Sequence, residues 1–135
     1  MKTQKKITVR YAETDKMGIV HHSNYAVWFE CARTEFFKNL GYTYSSIEDD
    51  GILLPLTDLK CSFKKPAKYE DEIILILEVV KLTCVRLSFC YEVYDNCFNL
   101  IASGETSHAW TDKDLKPLNI EKHKPALYNM LKQTI

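Results

Sequence analysis

Between residues 25 and 40 the apolar side chains Tyr25, Trp28, Phe29, Ala32, Phe36 and Leu40 recur at helical spacing, with Glu30, Arg33, Thr34 and Lys38 off that stripe. One long amphipathic helix is expected there, and its apolar face must find a core. Ser23 or Asn24 can cap its start, and Gly41 can take the left-handed conformation that ends it. The C-terminal two-thirds of the chain limits the partners available to that face. Residues 54–65, 72–82, 85–94 and 100–111 each read as a strand, separated by turn residues such as Pro66 and Asp95-Asn96. In 85–94 the odd positions are apolar and the even ones mostly polar, so one face is buried and the other is wet or at an interface. Residues 7–11 form a further short strand candidate, 42–52 a loop with room for one helical turn, and 120–131 a weaker C-terminal helix. Gly104, inside the last strand, marks either a bulge or a close approach to the backbone. One long helix followed by an antiparallel meander gives an α+β domain whose sheet curls around the helix. A single helix leaves part of such a sheet uncovered, and self-association would bury it.

At 135 residues the chain has the length of one domain, and no repeat or linker divides it. Its 18 Lys plus Arg balance 18 Asp plus Glu, so no net field draws nucleic acid or an anionic membrane. Basic recognition must be local: Lys60, Lys64, Lys65 and Lys68 form one cluster, and Arg86, on the polar face of its strand, is a second phosphate candidate. The cluster can equally be ordinary edge-strand charge. The longest apolar run, residues 73–77, is far shorter than a membrane span, and the basic N-terminus leads into no apolar signal segment. Five cysteines without a C-x-x-C pair read as reduced, structural thiols. A cytoplasmic protein is expected.

The chemistry concentrates in residues 15–25. Asp15 lies in a loop with Gly18, a few residues before the long helix. A helix start offers free N–H groups and a positive dipole end, which suit a developing negative oxygen, while Asp15 can act on an electrophile held there. Alone, Asp15 would be a turn or capping residue. His21 and His22 invite a metal reading, but neighbouring histidines diverge and no metal-ligand spacing accompanies them, so neither a metal nor another cofactor is expected. Glu30 and Arg33, three residues apart on the helix, read as a solvated ion pair. Tyr25 belongs to the core stripe and, being near the helix start, can also line a pocket there.

The ordered run Tyr11-x-Glu13-Thr14-Asp15-x-x-Gly18-Ile19-Val20-x-His22-Ser23-Asn24-Tyr25, with Phe29-Glu30-x-Ala32-Arg33-x-Glu35 and Gly41, resembles the hotdog-fold thioesterases of the 4-hydroxybenzoyl-CoA thioesterase and YbgC-like group. Cys61-Ser-Phe-Lys-Lys-Pro-Ala and Ser103-Gly-Glu-Thr are similar to later family blocks, so the likeness extends to about Pro117. It implies a hotdog fold, with a curved antiparallel sheet around one long central helix, and hydrolysis of acyl-CoA to a free acid and coenzyme A. It also implies that Asp15 is the catalytic carboxylate and that the backbone N–H of His22 polarises the thioester carbonyl. On this reading Gly18, Tyr25, Lys64, Lys65 and Arg86 bind substrate. The resemblance further implies a homodimer or a dimer of dimers with sites at subunit interfaces. Two positions depart from it: Glu13 stands where Asp is frequent, and His21 where Tyr is frequent. The rival readings are hydrolysis of acyl-carrier-protein thioesters and a non-catalytic acyl-binding module.

Overall fold

A computed structural model describes all 135 residues. Strands Thr3–Thr8 (β1), Leu56–Phe63 (β2), Glu72–Leu82 (β3), Arg86–Asp95 (β4) and Leu100–Ala109 (β5) form one antiparallel sheet in the order β1-β3-β4-β5-β2. Helix α1 spans Ser23–Asn39, α2 spans Tyr44–Asp49, and α3 (Ile120–His123) and α4 (Pro125–Lys132) close the chain. This is the α+β arrangement of a curved sheet carrying one long helix. Register shifts at Leu56/Asp58, Val79/Lys81 and Val93/Tyr94 interrupt three strand pairs, the kind of irregularity that bends a sheet.

The stripe on α1 becomes the inner layer of the core. Trp28, Phe29, Ala32 and Phe36 are buried with Leu75, Leu77, Leu87, Phe89, Tyr91 and Val93 of β3 and β4. Phe29 stacks on Tyr91 at 4.2 Å and 12°, and Phe36 meets Phe89 edge-on at 5.4 Å. Each such ring contributes roughly 1.5 to 3 kcal/mol by leaving water. Phe37, off the expected stripe, is also buried because α2 and Tyr44 cover that side of the helix, whereas Leu40 is only partly buried. Gly41 ends α1 with φ +88, its N–H donating to the Lys38 carbonyl and that of Tyr42 to Phe37. Gly104 makes no bulge: it sits in regular register between Cys61 and Tyr91. It is instead a point of close approach, since a Cβ there would lie 2.5 Å from Phe29 Cε2 and 2.9 Å from the Lys60 carbonyl oxygen.

Three local expectations need correction. The first strand is Thr3–Thr8 rather than 7–11, because the chain from Arg10 folds into a single 3-10 turn, Tyr11–Glu13, braced by the Glu13 carboxylate on the Arg10 N–H at 2.8 Å. Neither Ser23 nor Asn24 caps α1; His22 holds that position in helical conformation (φ −54, ψ −30) with no side-chain cap. The C-terminal helix is two helices, broken at Lys124 (φ −146) because a residue before proline is pushed out of helical conformation.

Candidate active site

The Asp15 loop is a small closed unit. A bridge between Thr14 and Val20 ties its ends, the Asp15 N–H donates to the Ile19 carbonyl at 2.9 Å, and the Gly18 N–H donates to the Asp15 carbonyl at 3.0 Å. Gly18 has φ +78, a conformation that favours glycine and lets the loop reverse. The Asp15 carboxylate is half-buried, and its Oδ1 accepts the Met17 N–H at 2.8 Å, which fixes its direction and leaves Oδ2 without a protein partner. Asp15 thus has the turn role it would have in any protein, with one oxygen to spare.

The loop is locked to α1 through Glu13. Its carboxylate is buried, accepting the Trp28 indole N–H at 2.8 Å as well as the Arg10 N–H, with the Arg10 guanidinium 3.6 Å away. Burial alone raises this carboxyl, but the three donors outweigh it and hold it below the ordinary glutamate value. The Glu13 carbonyl in turn accepts the His21 N–H and the Asn24 side-chain amide, both at 2.9 Å. Asn24 therefore serves the loop rather than the helix cap. The sequence marked Glu13 only as a departure from a pattern; its distance of 15 positions from Trp28 conceals the contact.

At the start of α1 the His22 N–H donates to no group in the protein, and the Ser23 N–H has only a long contact of 3.3 Å to His21 Nδ1. The rings of His21 and His22 pack together at 4.1 Å, and His21 Nδ1 also pairs with the Ser23 hydroxyl at 2.8 Å.

A cleft of about 300 Å³ opens beside this helix start, lined by Ile19, Val20, Tyr25, Phe63, Lys64 and Lys65. Tyr25 is its buried wall, packed edge-on to Phe63 at 5.0 Å and against Trp28 at 4.8 Å, and burial raises its hydroxyl's pKa. Lys64 and Lys65 both donate backbone N–H to the Ile101 carbonyl, which anchors the chain and leaves their exposed side chains at the rim. Tyr25, Lys64 and Lys65 thus share one cleft with the far arm of the loop that carries Asp15 and Gly18. Phe63, which the sequence did not single out, joins them because β2 ends there.

The remaining candidates lie elsewhere. Arg86 is on the outer face of the sheet, in a shallow groove with Asp58, Lys81 and Glu105. It pairs with Ala109 at one end of β5, whereas Lys64 bonds to Ile101 near the other, about 26 Å away along the strand. Lys60 faces the same outer side opposite Glu105, and Lys68 is exposed, its N–H donating to Asp71. Glu30 and Arg33 form no ion pair: Arg33 turns inward and donates to the Tyr91 hydroxyl at 3.0 Å, while Glu30 stays exposed.

A curved antiparallel sheet around one long helix is the hotdog fold. Residues 9–131 match the model of the thioesterase-like superfamily, and the chain belongs to that family. YneP of Bacillus subtilis, named as a candidate acyl-CoA thioesterase, is 38% identical over 124 residues, 91% of this chain and 90% of that protein. A DHNA-CoA thioesterase from Staphylococcus aureus superposes with a TM-score of 0.95 at 33% identity, covering 98% of this chain and 89% of that one. A gentisyl-coenzyme A thioesterase superposes with a TM-score of 0.83 at 25% identity, covering 89% and 97%.

Proposed function

We propose that this protein hydrolyses acyl-CoA thioesters to a free carboxylic acid and coenzyme A, with Asp15 supplying the oxygen nucleophile and the His22 N–H receiving the oxyanion. The observation that carries the reading is the unbonded His22 N–H at the start of α1, two residues beyond the closed loop whose geometry leaves Asp15 Oδ2 free.

A thioester makes modest demands. Sulfur donates poorly into the carbonyl, and the leaving thiolate, with a pKa of about 8.5 on the cysteine scale, departs without a strong acid. Two tasks remain. A preorganised N–H aimed at the tetrahedral oxygen contributes roughly 3 to 4 kcal/mol, and the positive end of α1 reinforces it. Asp15 either takes a proton from an attacking water or attacks the carbonyl itself, giving an anhydride that water opens. Both routes consume one water and release the acid and the thiol. Tyr25 and Phe63 form the apolar wall of the cleft, while Lys64 and Lys65 at its rim meet the coenzyme A phosphates.

The reading includes self-association. Strand β2 is a sheet edge, and Leu56, Leu59 and Phe63 along it are each about half exposed, as is Val27 on α1. An apolar edge of this kind is blunted by a second copy of the chain, giving a homodimer or a dimer of dimers. Five free thiols suit the reducing cytoplasm.

The test is thiol release over a panel of short, long and aromatic acyl-CoAs, with the same acyl groups presented on acyl carrier protein. Turnover of the CoA series supports the reading. Turnover confined to the protein carrier replaces coenzyme A as the substrate, and none across the panel leaves an acyl-binding module.

A further inference from the structure

Glu13 is the only one of the chain's 18 acidic residues that is buried, with 3% of its surface exposed. A carboxylate out of water is costly unless its oxygens are met, and here both are: Oε1 accepts the Arg10 N–H and Oε2 the Trp28 indole N–H, each at 2.8 Å. The first bond closes the 3-10 turn, and the second crosses to α1, where Trp28 is itself buried against Tyr25. The backbone of the same residue grips α1 a second time. Its carbonyl accepts the Asn24 side-chain amide at 2.9 Å, and that amide also reaches the His21 carbonyl at 3.3 Å. Asn24 and Trp28 are four positions apart, about 6 Å along the helix and on one face, so two bonds from one residue keep the loop from pivoting about either. The loop's other ties leave α1 alone. The Val20 N–H on the Ala67 carbonyl and the Tyr11 ring against Tyr69 at 5.6 Å hold it to the segment after β2, and the bond of Asp15 Oδ1 to the Met17 N–H fixes the carboxylate only within its own loop.

We infer that Glu13 is a positioning residue for hydrolysis: by clamping its loop to Trp28 and Asn24, it sets the spacing between the Asp15 carboxylate and the His22 N–H. The inference rests on the reading of those two groups as the reacting pair. Asp15 follows Glu13 by two residues on one arm of the loop. On the other arm His22 directly follows His21, whose N–H bonds to the Glu13 carbonyl. The carboxylate must act at the carbonyl carbon while the N–H meets its oxygen, and an error of about 1 Å in such a pair costs on the order of 100-fold in rate. The position asks for a carboxylate of this length. Glutamine keeps the reach but offers an NH2 where the second oxygen accepts, and aspartate keeps the charge but is one methylene too short to meet both Arg10 and Trp28.

The test is steady-state thiol release from acyl-CoA by Glu13→Gln, Trp28→Phe and Asp15→Asn and by the double variant Glu13→Gln/Asp15→Asn. Glu13→Gln should lower kcat about 10- to 100-fold with KM within about twofold of the wild type, since the cleft that binds substrate is untouched. Trp28→Phe, which removes the indole donor and keeps a ring in the core, should lower kcat in the same direction and add little to Glu13→Gln when combined with it. A residue that acts through Asp15 has nothing left to position once that carboxylate is gone, so the double variant should be no slower than Asp15→Asn alone. Circular dichroism establishes that each variant is folded; if Glu13→Gln is not, Trp28→Phe with and without Asp15→Asn decides by the same criteria. Wild-type kcat in folded Glu13→Gln and Trp28→Phe, a rise in KM with kcat unchanged, or a Glu13→Gln loss that multiplies with that of Asp15→Asn overturns the inference. The two readings fail differently. A slow Asp15→Asn beside a wild-type Glu13→Gln overturns only the positioning role, whereas wild-type turnover in Asp15→Asn overturns the hydrolysis reading and the positioning role with it.

Discussion

Replacing His22 by proline removes one hydrogen from the protein's backbone at the position where the oxyanion is proposed to form. The substitution suits the structure: φ at His22 is −54, within proline's range, and its N–H has no acceptor to lose. Proline is also favoured where a helix begins, and fixing φ there reduces the entropy of the unfolded chain. Stability should therefore change by less than about 1 kcal/mol. Activity should not survive so well. Losing one oxyanion donor costs about 2.7 to 4 kcal/mol of transition-state stabilisation, so kcat should fall about 100- to 1000-fold with little change in KM. The assay is thiol release with whichever acyl-CoA turns over fastest, beside a melting curve on the same preparation. His22→Ala keeps the N–H and removes the ring, and it should retain most of the wild-type kcat. A folded His22→Pro enzyme with near wild-type kcat would refute the backbone role, and a large loss in His22→Ala would transfer it to the imidazole.

Three further outcomes rest on particular contacts. Gly104→Ala puts a methyl 2.5 Å from the buried Phe29 ring, so it should cost about 2 to 3 kcal/mol and lower Tm by about 10 °C; an unchanged Tm would mean that α1 shifts freely away from the sheet. His108, buried and held at about 4 against an ordinary 6.5, takes up its proton more readily when unfolded, so stability should fall as pH drops from 6.5 towards 4, by about 2 kcal/mol once solvent screening is allowed for. Denaturant titrations of His108→Gln should lose most of that slope, and an identical pH profile in both proteins would assign the acid sensitivity to other groups. Reversing charge with Lys64→Glu and Lys65→Glu should raise KM for acyl-CoA and spare a small pantetheine thioester of the same acid; equal effects on the two substrates would remove the phosphate role.

What the sequence revealed depended on whether the deciding contact was local. The α1 stripe, the Gly41 stop and the strand at 72–82 were legible because side-chain periodicity and one left-handed residue determine them. Strand β1 was misplaced because it is an edge: Thr3, Lys5 and Ile7 alternate only weakly, and pairing with the apolar β3 backbone holds it in place. The aspartate loop could be read as a motif, yet its bracing by Glu13 through Trp28 could not, since the two are far apart in sequence until α1 folds back. Arg86 and Lys64 looked equivalent as cations beside strands, and only register separates an outer-face groove from the rim of the cleft. The same holds for Arg33, which helix geometry offered to Glu30 and the fold delivered to Tyr91, 58 positions away.

Asp15→Asn tests the central claim most directly. The change keeps the side chain's shape and leaves an oxygen to accept the Met17 N–H, so the loop and the melting temperature should be preserved. With the carboxylate gone, neither proton abstraction nor direct attack is possible, and single-turnover thiol release from acyl-CoA should slow by about 100- to 10,000-fold. A folded Asp15→Asn protein that releases thiol at close to the wild-type rate would contradict the account.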